Sequence, residues 1–235
     1  RLPLGVALAQ VLGNIVVQNI SDGEITGGSG DIALRTKYDT GGITFLSQVQ
    51  GDPVTTRIHT TAGGSVYMLA GAGGIKVGEI ITEVPSNDKV TEPGRIRLFT
   101  NNYGDIDTGR LTVQGGSYDE VSIIASGDLT IRGNITTITN QVPSEVKKVG
   151  QARTCLVSVY GDVDIEGSVI VNAHGKYYST ADVHICAGAN VTIVLGPQQQ
   201  IDASAHTSED GSSDASVLIH AGKEIEGPGV ISING

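Results

Sequence analysis

The sequence predicts an all-β fold, a parallel β-helix (β-solenoid) of about eight coils with loop excursions, and three observations predict it. First, the segment VSIIASGDLTIRG, residues 121–133, places aliphatic residues at Val121 and Ile123, a small one at Ala125, then Leu129 and Ile131. Two period-2 runs broken by a Ser-Gly-Asp corner read as strand, turn, strand, with one side of each strand facing a core. Second, the frame returns along the chain at intervals of about 25 to 36 residues, the spacing of units that stack into solenoids. Third, the chain holds 33 Gly, no Trp and only 4% aromatics. Glycine at that level without a collagen period suits repeated tight corners. No window sustains a 3.6-residue period, and the dipeptides that close hairpins are sparse, so strands pairing in parallel with their own copies fit better than a sandwich.

In order, the first turn frames on Val6, Leu8, Gln10 and Val16 and leaves through the Gly-rich SDGEITGGSG. The second frames on Ile32, Leu34 and Thr36 and carries an additional segment, ITFLSQV. The third uses Val66, Met68, Ala70, Ile75 and Val77 and ends in a polar excursion over 85–94. The fourth, on Ile96, Leu98, Thr100, Gly104 and Ile106, and the fifth, on 121–133, are compact; an excursion over 140–152 follows the fifth. The sixth frames on Val157, Val159, Gly161 and Ile165 and leads to HGKYYSTA. The seventh frames on Val183, Ile185, Ala187, Val191 and Ile193, before the longest excursion, 196–215. The eighth uses Val217, Ile219, Ala221 and Ile225. A small residue is required where the wall bends after the second aliphatic; Ala70, Ala125, Ala187, Ala221, Gly161, Thr36 and Thr100 satisfy this and Gln10 does not. The whole chain, 1–235, reads as one solenoid domain, a section of a larger or multimeric assembly. It opens at Arg1 without a Met, as a processed product or an excised piece would.

The net charge of −10 argues against nucleic acid or an anionic membrane surface as partner, since both reward clustered Lys and Arg. Lys147-Lys148 is the one adjacent basic pair, and no stretch reaches the apolar length of a membrane span. Cys155 and Cys186 fall three to five positions apart along aligned strands, too far for a disulfide, so both are expected free.

One outward file is unexpected. Leu69, Phe99, Ile124, Tyr160, Cys186 and His220 form an apolar ladder where solvent-facing residues belong, a candidate lateral interface. Either an excursion covers it or another copy packs there. His184, His220 and Cys186 lie near one face but supply too few ligands for a structural zinc. The turn HTSEDGSSDAS gathers Glu209, Asp210 and Asp214 around a Gly; it lacks the ligand spacing of a calcium loop, and whether calcium binds there stays open. Asn19, Asn134 and Asn190 open glycosylation-type triplets that are expected as chance matches in a Thr-rich β chain. Asp128, Asp162, Asp164 and Glu166 project outward, as acids on a soluble β surface do. No catalytic, cofactor-binding or metal residues are assigned.

The segments VSIIASGDLTIRGNITT, ADVHICAGANVTIV, QIDASA and SVLIHAGKEIEGPGVISING resemble the repeats of filamentous-haemagglutinin-like exoproteins, which are right-handed parallel β-helices. The likeness covers roughly residues 121–235. It implies a right-handed coil, an extracellular or cell-surface location and an adhesive or structural role. The expectation is a non-enzymatic scaffold that self-associates into a fibre or coat, without cofactor. Its partners are further copies or a continuing chain, with surface glycans a further candidate. The alternative is a carbohydrate-active β-helix, a polysaccharide lyase, hydrolase or tailspike-like glycan-binding module, in which the acidic column and the loops after the third, fifth and seventh turns form a glycan groove; such a site calls for aromatic platforms, and the sequence offers only Tyr177 and Tyr178 in a candidate loop.

Overall fold

The computed structural model describes residues 6–11, 13, 15–18, 24–26, 30–36, 39–46, 57–61, 63–84, 94–139, 149–194, 199–226 and 230–234. Of the excursions expected over 85–94 and 140–152, residues 85–93 and 140–148, with Lys147 and Lys148, lie outside the described residues, as does the triplet at Asn19, and 149–152 belong to the strand Val149–Ser158. The chain forms a parallel β-solenoid of three sheets, each of eight strands, which it visits in rotation. No helix occurs among the described residues, and none is long and apolar enough to cross a membrane.

The first sheet stacks Val6–Val11, Asp31–Thr36, Val66–Ala70, Arg95–Thr100, Tyr118–Ala125, Val149–Ser158, Tyr178–Ala187 and Ser212–Ala221. The second takes the short strands after each corner, such as Ile75–Val77, Leu129–Ile131 and Val191–Ile193. The third includes Glu79–Glu83, Leu111–Gln114, Ile135–Ile138, Val169–Gly175 and Gln200–Thr207. Parallel strands need connections that return to the same end, and one circuit of the coil supplies each return.

Alternation sets the core. In the first sheet Ile96, Val121, Thr154 and Val183 form one inward file, and Leu98, Ile123, Leu156 and Ile185 the next. The second sheet adds Ile75, Ile106, Leu129, Val163 and Val191; the third adds Ile80, Leu111, Ile135, Val169 and Ile201. All but Thr154 belong to a single buried apolar cluster. Corners leave no room for side chains: a Cβ on Gly167 would collide with the Gly133 carbonyl one coil away.

The structure corrects the sequence frame in four respects. Each coil has three strands, so 196–215 is no excursion: Gln200–Thr207 is a strand of the third sheet and Ser212–Ala221 already begins the next circuit. HGKYYSTA is likewise the end of one long strand and the start of another. ITFLSQV contains Ile43–Leu46, the second-sheet strand of its coil. The first turn is displaced by one residue, since Ala7 rather than Val6 stands beside Ile32, and Val11 rather than Gln10 beside Thr36.

The fourth correction matters most. Val121 pairs with Thr154, not Val157, and Ala125 with Ser158, not Gly161. Thr154 is tolerated inside because its hydroxyl meets the Thr137 hydroxyl at 2.9 Å. Ser158 bonds the Gly127 carbonyl at 2.6 Å and accepts the Gly161 N–H at 3.0 Å. Two satisfied hydroxyls therefore occupy file positions that the hydrophobic pattern assigns to a valine and a glycine. Leu156→Ala should lower stability by about 3 kcal/mol and Val157→Ala by less than about 1 kcal/mol, read as urea unfolding of the full chain. The sequence frame, with Val157 inside, requires the reverse order.

Candidate functional site

The outward side of the first sheet carries the candidate interface. Strand pairing sets Leu69 beside Phe99, Phe99 beside Ile124, Ile124 beside Val157, Val157 beside Cys186 and Cys186 beside His220. Five of the six expected members thus stand in one file on consecutive coils, and Val157 takes the place given to Tyr160. The first five side chains in this file are half-buried and His220 is exposed. Tyr160 sits instead at the corner leaving the first sheet, because the sixth coil is shifted by three residues relative to the sequence frame.

Two further outward files flank the apolar one. The nearer runs Tyr67, Arg97, Ser122, Cys155, His184 and Leu218; the next runs Arg95, Glu120, Arg153 and Asp182. Arg97 is anchored by Glu120 at 2.6 Å, and this bond, opposed by burial, raises the guanidinium's affinity for its proton. The Arg95 guanidinium lies 5.3 Å from the centre of the Tyr118 ring, and Asp182 accepts the Ser216 hydroxyl at 2.6 Å. Both cysteines are free. Cys155 pairs with His184, so Cys186 lies two residues further along, a smaller offset than the sequence frame gives. Burial pushes the Cys155 thiol up, which disfavours a reactive thiolate.

The outward acids have structural work at the corners. The Asp128 N–H donates to Asp105 Oδ1 at 2.8 Å, the Asp162 N–H to Asp128 Oδ1 at 2.9 Å, and the Asn190 N–H to Asp162 Oδ1 at 2.8 Å. Each carboxylate thus satisfies backbone that the bend leaves unpaired, one coil from its own. Asn134 Oδ1 accepts the Ser168 N–H at the following corner. Asn134 and Asn190 are both members of these ladders.

Two arrangements were not visible in the sequence. Tyr103 and Tyr160, exposed by 71% and 63%, come together at one corner with ring centres 5.1 Å apart. A cavity of about 420 Å³ opens along the next corner, lined by Glu79, Arg110, Arg132, Asn134, Glu166 and Gln199. Its cations are already committed: Arg110 pairs with Glu79, and Arg132 makes a two-pronged contact with Asp107 at 2.8 and 3.1 Å. The recurrent Gly-polar pairs at 78–79, 109–110 and 133–134 were the available signal, since they stack one above another.

Glu209 sits in the turn before Ser212–Ala221 and pairs with Lys176 at 2.9 Å, while Asp214 belongs to the following strand. Among the described residues no three His, Cys, Asp or Glu side chains are grouped to hold a metal. Tyr177 and Tyr178 lie where the coil turns into Tyr178–Ala187, with Lys176 Nζ 5.5 Å from the Tyr177 ring.

Asp119 is the anomaly of the core. It pairs with Ala152 on the inward side; Oδ2 accepts the Gly116 N–H at 3.1 Å, and Oδ1 is buried without a hydrogen-bond partner. Burial pushes its pKa up to about 7, against backbone hydrogen bonds that pull it down. No protein-family model, curated protein or solved structure matches the chain.

The folded chain therefore binds the Asp119 proton more tightly than the unfolded chain does. The resulting stabilisation is complete below about pH 4 and is lost as pH rises through 7, with a full span of ~4 kcal/mol. Asp119→Asn should be more stable than the parent by ~2–4 kcal/mol at pH 8, with the difference vanishing at pH 4, as followed by urea unfolding. Asp162→Ala should cost about 1–2 kcal/mol at neutral pH by the same measurement, through loss of the Asn190 N–H partner.

Proposed function

We propose that the chain is a non-enzymatic structural or adhesive scaffold of a secreted or cell-surface assembly, and that it associates with further copies of itself. The observation that carries this reading is the apolar file Leu69, Phe99, Ile124, Val157 and Cys186, half-exposed along a regular sheet face. A continuous apolar stripe on a solvent face is characteristic of association. The carboxylates at 105, 128 and 162 hold backbone in place, which favours a scaffold over acid-base chemistry at that corner. The extracellular location follows from the resemblance over residues 121–235 to filamentous-haemagglutinin-like repeats.

A second reading, a glycan-binding or carbohydrate-active β-helix, draws support from Tyr103 and Tyr160. Two exposed rings at one corner offer apolar faces on which a sugar can stack. Saturation-transfer NMR with oligosaccharide pools discriminates: signal transfer abolished by Tyr103→Ala and Tyr160→Ala favours this reading.

For the scaffold reading, static light scattering at tens of micromolar should show reversible association of the chain. Ile124→Lys should reduce it at least tenfold in apparent affinity while leaving the far-ultraviolet circular dichroism unchanged. A chain that remains monomeric across that range contradicts the proposal.

A further inference from the structure

We propose that the outward face of the first sheet is a self-complementary docking surface on which a second copy of this chain packs with its coil axis reversed. The inference rests on the scaffold reading and adds to it the face, the partner and the register. On four consecutive strands the charged file runs Arg95, Glu120, Arg153, Asp182, so its signs alternate. Parallel to it, two positions beyond the intervening file, runs the apolar series from Leu69 to His220.

A two-fold axis parallel to the strands, passing between those of Glu120 and Arg153, lays each file on its own copy in reverse order. Arg95 then faces Asp182 of the second copy, and Arg153 comes over Glu120, which is 8% exposed and already paired with Arg97. In the same arrangement Ile124 faces Val157, Phe99 faces Cys186 and Leu69 faces His220. The aliphatic pair falls at the centre and the exposed imidazole at the edge, the distribution of a dry middle and a polar rim. One arrangement thus satisfies both files, which is the property an isologous interface requires.

Competing registers are penalised. A slip of one strand sets Arg95 against Arg153 and Glu120 against Glu120, so like charges meet. A two-fold axis along the coil instead folds the charged file towards apolar residues and leaves charges without partners. Three of the four charged side chains are already held within one copy: Glu120 holds Arg97, Asp182 holds the Ser216 hydroxyl, and Arg95 lies over Tyr118. Little conformational entropy remains to be lost on docking.

The size of the face sets the strength. Six strands at about 4.8 Å, each contributing some six residues at about 3.3 Å, give roughly 500 Å² per copy and about 1,000 Å² in all. That lies at the lower end of specific interfaces, where weak and transient encounters sit.

Sedimentation velocity on the full chain at tens of micromolar and low salt tests this, with Arg95→Asp and Asp182→Arg run separately and as an equimolar mixture. The parent should dimerise. Each variant alone should weaken dimerisation about tenfold or more, because like charges then meet twice per dimer. The mixture should recover it: one variant carries aspartate at both positions 95 and 182, the other arginine at both, so opposite charges meet at each contact of the mixed pair. Recovery also shows that both variants are folded. Should either variant fail to fold by circular dichroism, Arg153→Glu replaces it, with the same loss expected against Glu120. A parent that associates while the folded variants do so equally well overturns this inference and leaves the scaffold reading standing, with association placed elsewhere. A parent that stays monomeric overturns both.

Discussion

Backbone pairing in parallel between residues about thirty positions apart is the constraint from which the rest of the structure follows. Every coil must repeat the last in register, because a slip of one residue turns the lining of a strand outward and its surface inward. That requirement fills the inward files with Val, Ile and Leu, excludes side chains at corners such as Gly167, and leaves backbone groups at each bend to be satisfied from the neighbouring coil. The ladder through Asp105, Asp128, Asp162 and Asn190 meets the last need on four successive coils. Its side chains are outward in position yet structural in role.

The same register makes the outer surface repetitive. Whatever one coil displays, the next displays about 4.8 Å further along, and a file of like residues becomes a stripe. The first sheet thereby acquires an apolar stripe and, parallel to it, a strip of alternating charge. The proposed association uses both. Asp119 shows the opposite situation, a charge-bearing group delivered by register into the lining, where burial keeps its proton on to about pH 7.

Sequence reading reached the parallel coil because the repeats at 121–131 and 183–193 match without a gap, and their residues do lie in common inward files through Thr154 and Val163. It did not reach the third sheet. Strands such as Ile135–Ile138 and Gln200–Thr207 carry Thr, Ala and Ser on their inward or outward sides, and that composition reads as connection. It also misplaced the sixth coil, where Thr154 and Ser158 are buried with their hydroxyls bonded and Val159 is exposed. Hydrophobicity is blind to a polar group whose partner lies across the lumen. The apolar file survived that error because Val157 is as apolar as the Tyr160 it displaces. The Tyr103–Tyr160 pair and the corner cavity depend on register between coils, and no single segment contains them.

Trapping a disulfide between adjacent coils tests the register most directly. With Cys186→Ser in place, Ser122→Cys stands beside native Cys155, both outward on paired strands, within the Cα separation a disulfide tolerates. Mild oxidation of the full chain should join them within the molecule. In a chain with Cys155→Ser and Cys186→Ser, the pair Ser122→Cys and Ser158→Cys should stay reduced, because position 158 faces the lumen. Efficient closure of the second pair and none of the first would contradict the register, and with it the account of lining and surface.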